Sequence, residues 1–137
     1  MSLERFVAAQ DPVWPDVVGE LRAGRKRSHW MWFVFPQIAG LGRSAMAQRY
    51  ALASVAEAAD YLDHPVLGPR LREVTQLVLA HAGQPAEAIL GGIDAMKLRS
   101  SMTLFAVARP AEACFAAALD AFWDGVPDPA TLELVGG

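Results

Sequence analysis

The chain has one cysteine, Cys114, so no internal disulfide can form and nothing points to an oxidising compartment. Its three histidines, His29, His64 and His81, are dispersed, and neither an HExxH nor a CxxC motif occurs, which leaves no recognisable zinc site. No stretch approaches the roughly 20 apolar residues that a membrane-spanning helix requires. The N-terminal MSLERFVAAQDP lacks the long apolar core and small-residue cleavage site of a secretory signal. No repeat, low-complexity tract or Ser/Gly-rich linker divides the chain. These absences make a soluble, cytoplasmic protein without metal, cofactor or membrane partner the expectation.

What is present is apolar. At 137 residues and 53% hydrophobic content, the chain can bury the core of one domain without staples. The net charge of −3 is unevenly spread: residues 1–50 hold seven Lys/Arg against four Asp/Glu, and residues 51–137 hold five against eleven. The positive density concentrates at Arg22, Arg25, Lys26 and Arg27, where an anionic ligand could be attracted, although a solvated loop accounts for the same run and is the commoner case. The negative total disfavours nucleic acid as a partner.

Apolar spacing is helical almost throughout, and no segment alternates like a half-buried strand, so the fold class is all-α: a single compact multihelical domain over 1–137. Leu3 to Ala9 forms a first helix; Trp14, Val17, Val18 and Leu21 mark a second, capped near Gly24. Residues 28–37, SHWMWFVFPQ, crowd two tryptophans and two phenylalanines before Pro36 and read as a short helix or irregular buried segment. Ser44 caps the next helix, and Ser54 with Glu57 has capping-box spacing for another that His64-Pro65 stops. Leu67 to Ala82 carries a broad apolar stripe and reads as the long central helix. Pro85 begins a short helix to Leu90, Asp94 caps one from Ala95 to about Ala108, Pro110 starts one ending at Gly125, and Asp128-Pro129 opens a final turn to Leu134.

The combination of SHWMWFVFPQ, GLGRS at 40–44, YLDHPVLGPRL at 61–71 and GGIDAMKLRSSMTLF at 91–105 resembles the mainly bacterial family known as domain of unknown function 1810. The likeness covers nearly the whole chain, from Arg5-Phe6 and Ala9-Gln10 to Asp128–Leu132. It implies a multihelical single domain and brings no activity, substrate or cofactor. Members are sometimes labelled calpastatin, but that inhibitor is a disordered polar chain, whereas this one is too apolar and too regularly patterned to stay unfolded.

Four constellations bear on chemistry. Trp30 and Trp32 could stack a base or nicotinamide ring, with Gln37 as a hydrogen-bonding handle, though large aromatics more often anchor the core of a small helical domain. Gly40, Gly42, Arg43 and Ser44, ahead of a helix, could cradle an anion, and folding could bring Arg70 to join them; the terminal GK[ST] of a P-loop is missing. Lys97 and Ser101 lie one turn apart on a helix beginning near Asp94, as a lysine base and serine nucleophile would, yet a capped helix with hydroxyls bonded to backbone explains them better. His29 and His64 could supply acid-base groups near neutral pH, or be satisfied structural histidines. Cys114 reads as a small core residue. The favoured function is therefore binding of a small anionic or nucleotide-like ligand at a cleft between the aromatic block, the Gly40 turn and the Asp94 helix. The alternatives are a hydrolase of glycosidic or phosphate ester bonds using His29 or His64 with Asp94 and Lys97, and a homo-oligomeric or partner-binding module that exposes Trp14 or Trp123.

Overall fold

The computed structural model describes residues Ser2 to Gly136, and within them the chain is all-α with no strand. The helices are α1 (Glu4–Gln10), α2 (Trp14–Arg22), α3 (Met31–Val34), α4 (Ala45–Arg49), α5 (Val55–Asp63), α6 (Leu67–Leu79), α7 (Ala86–Leu90), α8 (Gly92–Ala108), α9 (Ala113–Trp123) and α10 (Pro129–Gly136). A 3-10 turn at Asp11–Val13 joins the first two.

Local chemistry sets most boundaries. Ser44 Oγ accepts from the Ala47 amide and Ser54 Oγ from the Glu57 amide, each at 3.1 Å. The Glu57 carboxylate reaches back to the Ala53 amide, one residue before the cap. Asp128 caps α10 through its bond from the Thr131 amide. Three expected starts move. α9 begins at Ala113 rather than Pro110, and Pro85 precedes α7 instead of lying in its first turn. α8 begins at Gly92, because Gly91, at φ +86°, makes a left-handed turn that lets the helix start without a side-chain cap. Asp94 is therefore not a cap but a first-turn carboxylate, free to pair elsewhere.

The central helix is α8, not α6. It packs against α5, α7, α9 and α10, and from Leu98 to Phe105 every residue except Arg99 is buried. Two of its hydroxyls survive burial by returning to the backbone: Thr103 Oγ1 donates to the Arg99 carbonyl at 2.8 Å and Ser100 Oγ to that of Met96 at 3.2 Å. Around α8 runs an aromatic seam, Phe33–Tyr50–Phe6–Tyr61–Phe105–Phe115, with successive centroids 5.2 to 5.7 Å apart.

Buried Gln10 ties the N-terminal helices to this seam. Its amide donates to the Phe33 carbonyl at 2.7 Å and to Tyr61 Oη at 3.1 Å, while its oxygen accepts from Arg70 at 3.3 Å. Arg70 also pairs with Asp11 at 2.8 Å and lies over the Trp14 ring. Trp14 is consequently half-buried, and Trp123, packed against Phe122, is half-buried too, so neither is the exposed residue expected of it. Among the described residues, no helix is long and apolar enough to cross a membrane.

Candidate functional site

Three segments far apart in sequence enclose an open cleft of about 570 Å³, within the 300–1,000 Å³ range usual for small-molecule sites. The first wall comes from α3 and the following loop. Trp32, Gln37, Leu41, Gly42, Arg43 and Ser44 line it. This loop is closed by a parallel bridge of Ile38 to Leu52, with the Leu52 amide donating to the Gln37 carbonyl at 2.9 Å. Arg5 holds its far end by donating to the carbonyls of Arg49 and Ala51. At Gly42 a Cβ would lie 2.4 Å from the Ala47 Cβ, so glycine is what lets the turn close on α4. The exposed Arg43 guanidinium makes no ion pair among the described residues.

The second wall is the first two turns of α8, contributing Ile93, Met96, Lys97 and Ser100. Ile93 and Met96 are 75% and 72% exposed, an apolar lip at the mouth. Lys97 Nζ stands 4.7 Å from the Trp32 ring centroid and 3.4 Å from Asp94 Oδ1. The other Asp94 oxygen pairs at 2.8 Å with Lys26, which is nearly buried, donates to the Ser28 carbonyl and lies over the Trp30 ring. Asp94 thus bridges two lysines. With Arg43 and the cleft carboxylate Asp128, the surroundings hold three cations against two carboxylates, in a protein of net charge −3.

The third side is the start of α10, with Asp128 and Ala130. Asp128 Oδ2 accepts from the Thr131 amide at 3.0 Å, Thr131 Oγ1 at 2.6 Å and Ser100 Oγ at 3.2 Å. The sequence marks Asp128 only as a cap and gives no sign of it as a site residue. Capping spends one carboxylate oxygen and leaves the other, a distinction that spacing does not display.

The aromatic block is divided between interior and cleft. Trp30, Met31, Phe33, Val34 and Phe35 are buried, and only Trp32 turns to the cleft, half-buried. Trp30 therefore leaves the list of ligand-binding candidates: its ring fills the core and its indole N–H donates to Glu20 at 3.1 Å. Glu20 also accepts from the Arg27 and Ser28 amides and from Ser28 Oγ, at 2.6 to 2.9 Å, so the basic run is wrapped round one carboxylate. Burial alone would raise its pKa, but these bonds together outweigh that and lower it from 4.5 to about 2.

Linkage gives a test. A depressed carboxylate pKa stabilises the fold above its unfolded value, and that contribution is lost as pH falls from about 4.5 toward 2. Discounted for the solvent that still reaches the group, Glu20→Gln should cost about 2 kcal/mol at pH 7. The melting temperatures of wild type and variant should converge as pH approaches 2; a constant gap down to that pH would show that the charge is not responsible.

The remaining candidates lie outside the cleft. Gly40 is exposed beside Leu134, and Arg70 is committed to Gln10, Asp11 and Trp14. His29 is exposed and is not part of the cleft lining. His64 accepts the Val66 and Leu67 amides on Nδ1, so its Nε2–H donates to Glu4 at 2.9 Å, and the ring serves to start α6. Ser101 is fully buried, and its hydroxyl has no partner among the described residues, Lys97 included. One helical turn brings Cβ atoms close, but Lys97 turns outward to Asp94 and Trp32 while Ser101 turns inward. The lysine–serine dyad does not form, and the histidines nominated for acid-base work are elsewhere. Among the described residues, no group of three His, Cys, Asp or Glu could hold a metal ion.

These features define a multihelical protein whose open cleft has an aromatic wall, two cationic side chains and a carboxylate. The chain belongs to the family described as protein of unknown function DUF1810, which matches residues 1–135. It is similar to the conserved hypothetical protein Rv1873 from Mycobacterium tuberculosis, whose crystal structure at 1.38 Å superposes with a TM-score of 0.96 at 53% identity, covering 98% of this chain and 96% of that one. No curated protein matches the chain.

Proposed function

We propose that the protein binds a small anionic, nucleotide-like ligand in the cleft between α3, the Arg43 loop and α8. One observation carries the reading: Trp32 and Arg43, from α3 and the loop after it, and Lys97, from α8 far along the chain, line the same open hollow. Trp32 offers a flat apolar wall for a ring, extended by Leu41, Ile93 and Met96, while Arg43 and Lys97 offer charge-assisted donors to a phosphate or carboxylate. Asp94 does not cancel Lys97, because Lys26 already neutralises that carboxylate from its buried side.

Titration of the purified protein with ADP-ribose, NAD and inorganic phosphate, followed by thermal denaturation and calorimetry, tests this. A ligand at about 100 times its Kd adds about 2.7 kcal/mol to stability, which raises the Tm of a domain this size by several degrees. ADP-ribose or NAD should give such a shift and exceed phosphate alone. Silence across all three contradicts the proposal.

A further inference from the structure

The cleft is not uniformly cationic. Asp128 lines it together with Ser100, and every hydrogen bond that the Asp128 carboxylate accepts within the described residues falls on Oδ2. Oδ1 has no partner among the described residues, and the cap already anchors the carboxylate through two bonds from Thr131. A fixed acceptor of this kind, in a cleft built for an anion, repels phosphate and selects an O–H or N–H donor. Its neighbour Ser100 shares its one hydroxyl proton between the Met96 carbonyl and Asp128 Oδ2, so towards a ligand its oxygen is an acceptor, which again suits a hydroxyl donor. Ser100 is three residues beyond Lys97 on α8, about 4.5 Å further along the helix axis, so the Asp128–Ser100 pair and the Lys97 cation line the same cleft at successive levels.

Resting on the proposed anion-binding role, we infer that Asp128 and Ser100 read ligand hydroxyls, and that the ligand class is a sugar phosphate or ribosyl nucleotide rather than a simple or alkyl anion. The phosphate lies toward Arg43 and Lys97, and the sugar hydroxyls face Asp128. A site that hydrogen-bonds a hydroxyl discriminates against analogues lacking it, because an acceptor that the ligand covers is then left unpaired.

The test compares ribose 5-phosphate with n-butyl phosphate by calorimetry on wild type, Asp128→Asn and Ser100→Ala. Asparagine retains the cap through its amide oxygen and presents a donor where Oδ1 was, so the fold is kept while the acceptor is lost. Removing a negative charge strengthens binding of every anion, so the ratio of the two affinities is the readout. Wild type should prefer ribose 5-phosphate by about tenfold or more; the ratio should fall toward one in Asp128→Asn and decrease in Ser100→Ala. Equal binding of both phosphates to wild type, or an unchanged ratio in the variants, overturns the hydroxyl-reading role and leaves the anion cleft standing. Absence of binding by either phosphate, with ADP-ribose also silent, overturns both.

Discussion

Gly68→Ala is expected to destabilise the protein by about 3 kcal/mol or more, although helix propensity alone predicts a gain of about 1 kcal/mol. Gly68 lies in the first turn of α6, and a Cβ there would stand 2.1 Å from the Leu62 carbonyl oxygen at the end of α5. The obstacle is backbone, so no rotamer relieves it. Either α6 moves off α5, opening the interface that buries Tyr61, Leu62, Leu67 and Leu71, or the Leu62 carbonyl is displaced. Gly19→Ala in α2 is the control: an added Cβ meets nothing within 4 Å, so only propensity acts and stability should rise by up to about 1 kcal/mol. Urea denaturation of the two variants should therefore give opposite signs. A stabilised Gly68→Ala protein would mean that α5 and α6 do not pack as closely as described.

The largest functional effect is expected from removing both cleft cations. Each charge-assisted contact contributes about 1.5–3 kcal/mol, so Arg43→Ala with Lys97→Met should weaken binding of ADP-ribose by about a hundredfold or more. The fold should survive, because Arg43 makes no ion pair and Asp94 keeps Lys26 as its partner when Lys97 is gone. Arg70→Ala supplies the contrast. It removes a guanidinium from the network of Gln10, Asp11 and Trp14, so it should lower the Tm yet leave ligand affinity unchanged. Affinity that falls with Arg70→Ala and not with the double variant would move the binding site to the N-terminal helices.

The helices were legible because their punctuation is local. Ser44, Ser54 and Asp128 announce the caps they form, and the 3.6-residue spacing of Trp14, Val17 and Leu21 marks the buried face of α2. The centre of the fold was not, since α8 is buried on almost every side and its Ser100, Ser101 and Thr103 interrupt the apolar stripe that α6 displays cleanly. The start of α8 was misread because Asp94 has the composition of a cap, whereas the turn at Gly91 made one unnecessary.

For the cleft, the SHWMWFVFPQ block and the GLGRS turn both contribute lining residues, but spacing could not divide neighbouring rings between interior and cleft. Trp30 and Trp32 differ only in direction, and that direction follows from Glu20, ten residues before Trp30, which captures one indole and folds the basic loop beneath it. Arg70 shows the converse. Its charge suggested an anion site, and its position gave it to Asp11.

In the proposed complex the ligand lies against Trp32. The indole N–H resonances of the four tryptophans, Trp14, Trp30, Trp32 and Trp123, report it residue by residue in a two-dimensional NMR titration with ADP-ribose. The Trp32 signal should shift in a saturable manner while that of Trp123 stays in place. A Trp32 resonance that remains fixed at saturating ADP-ribose, or one that moves no more than the others, contradicts the account.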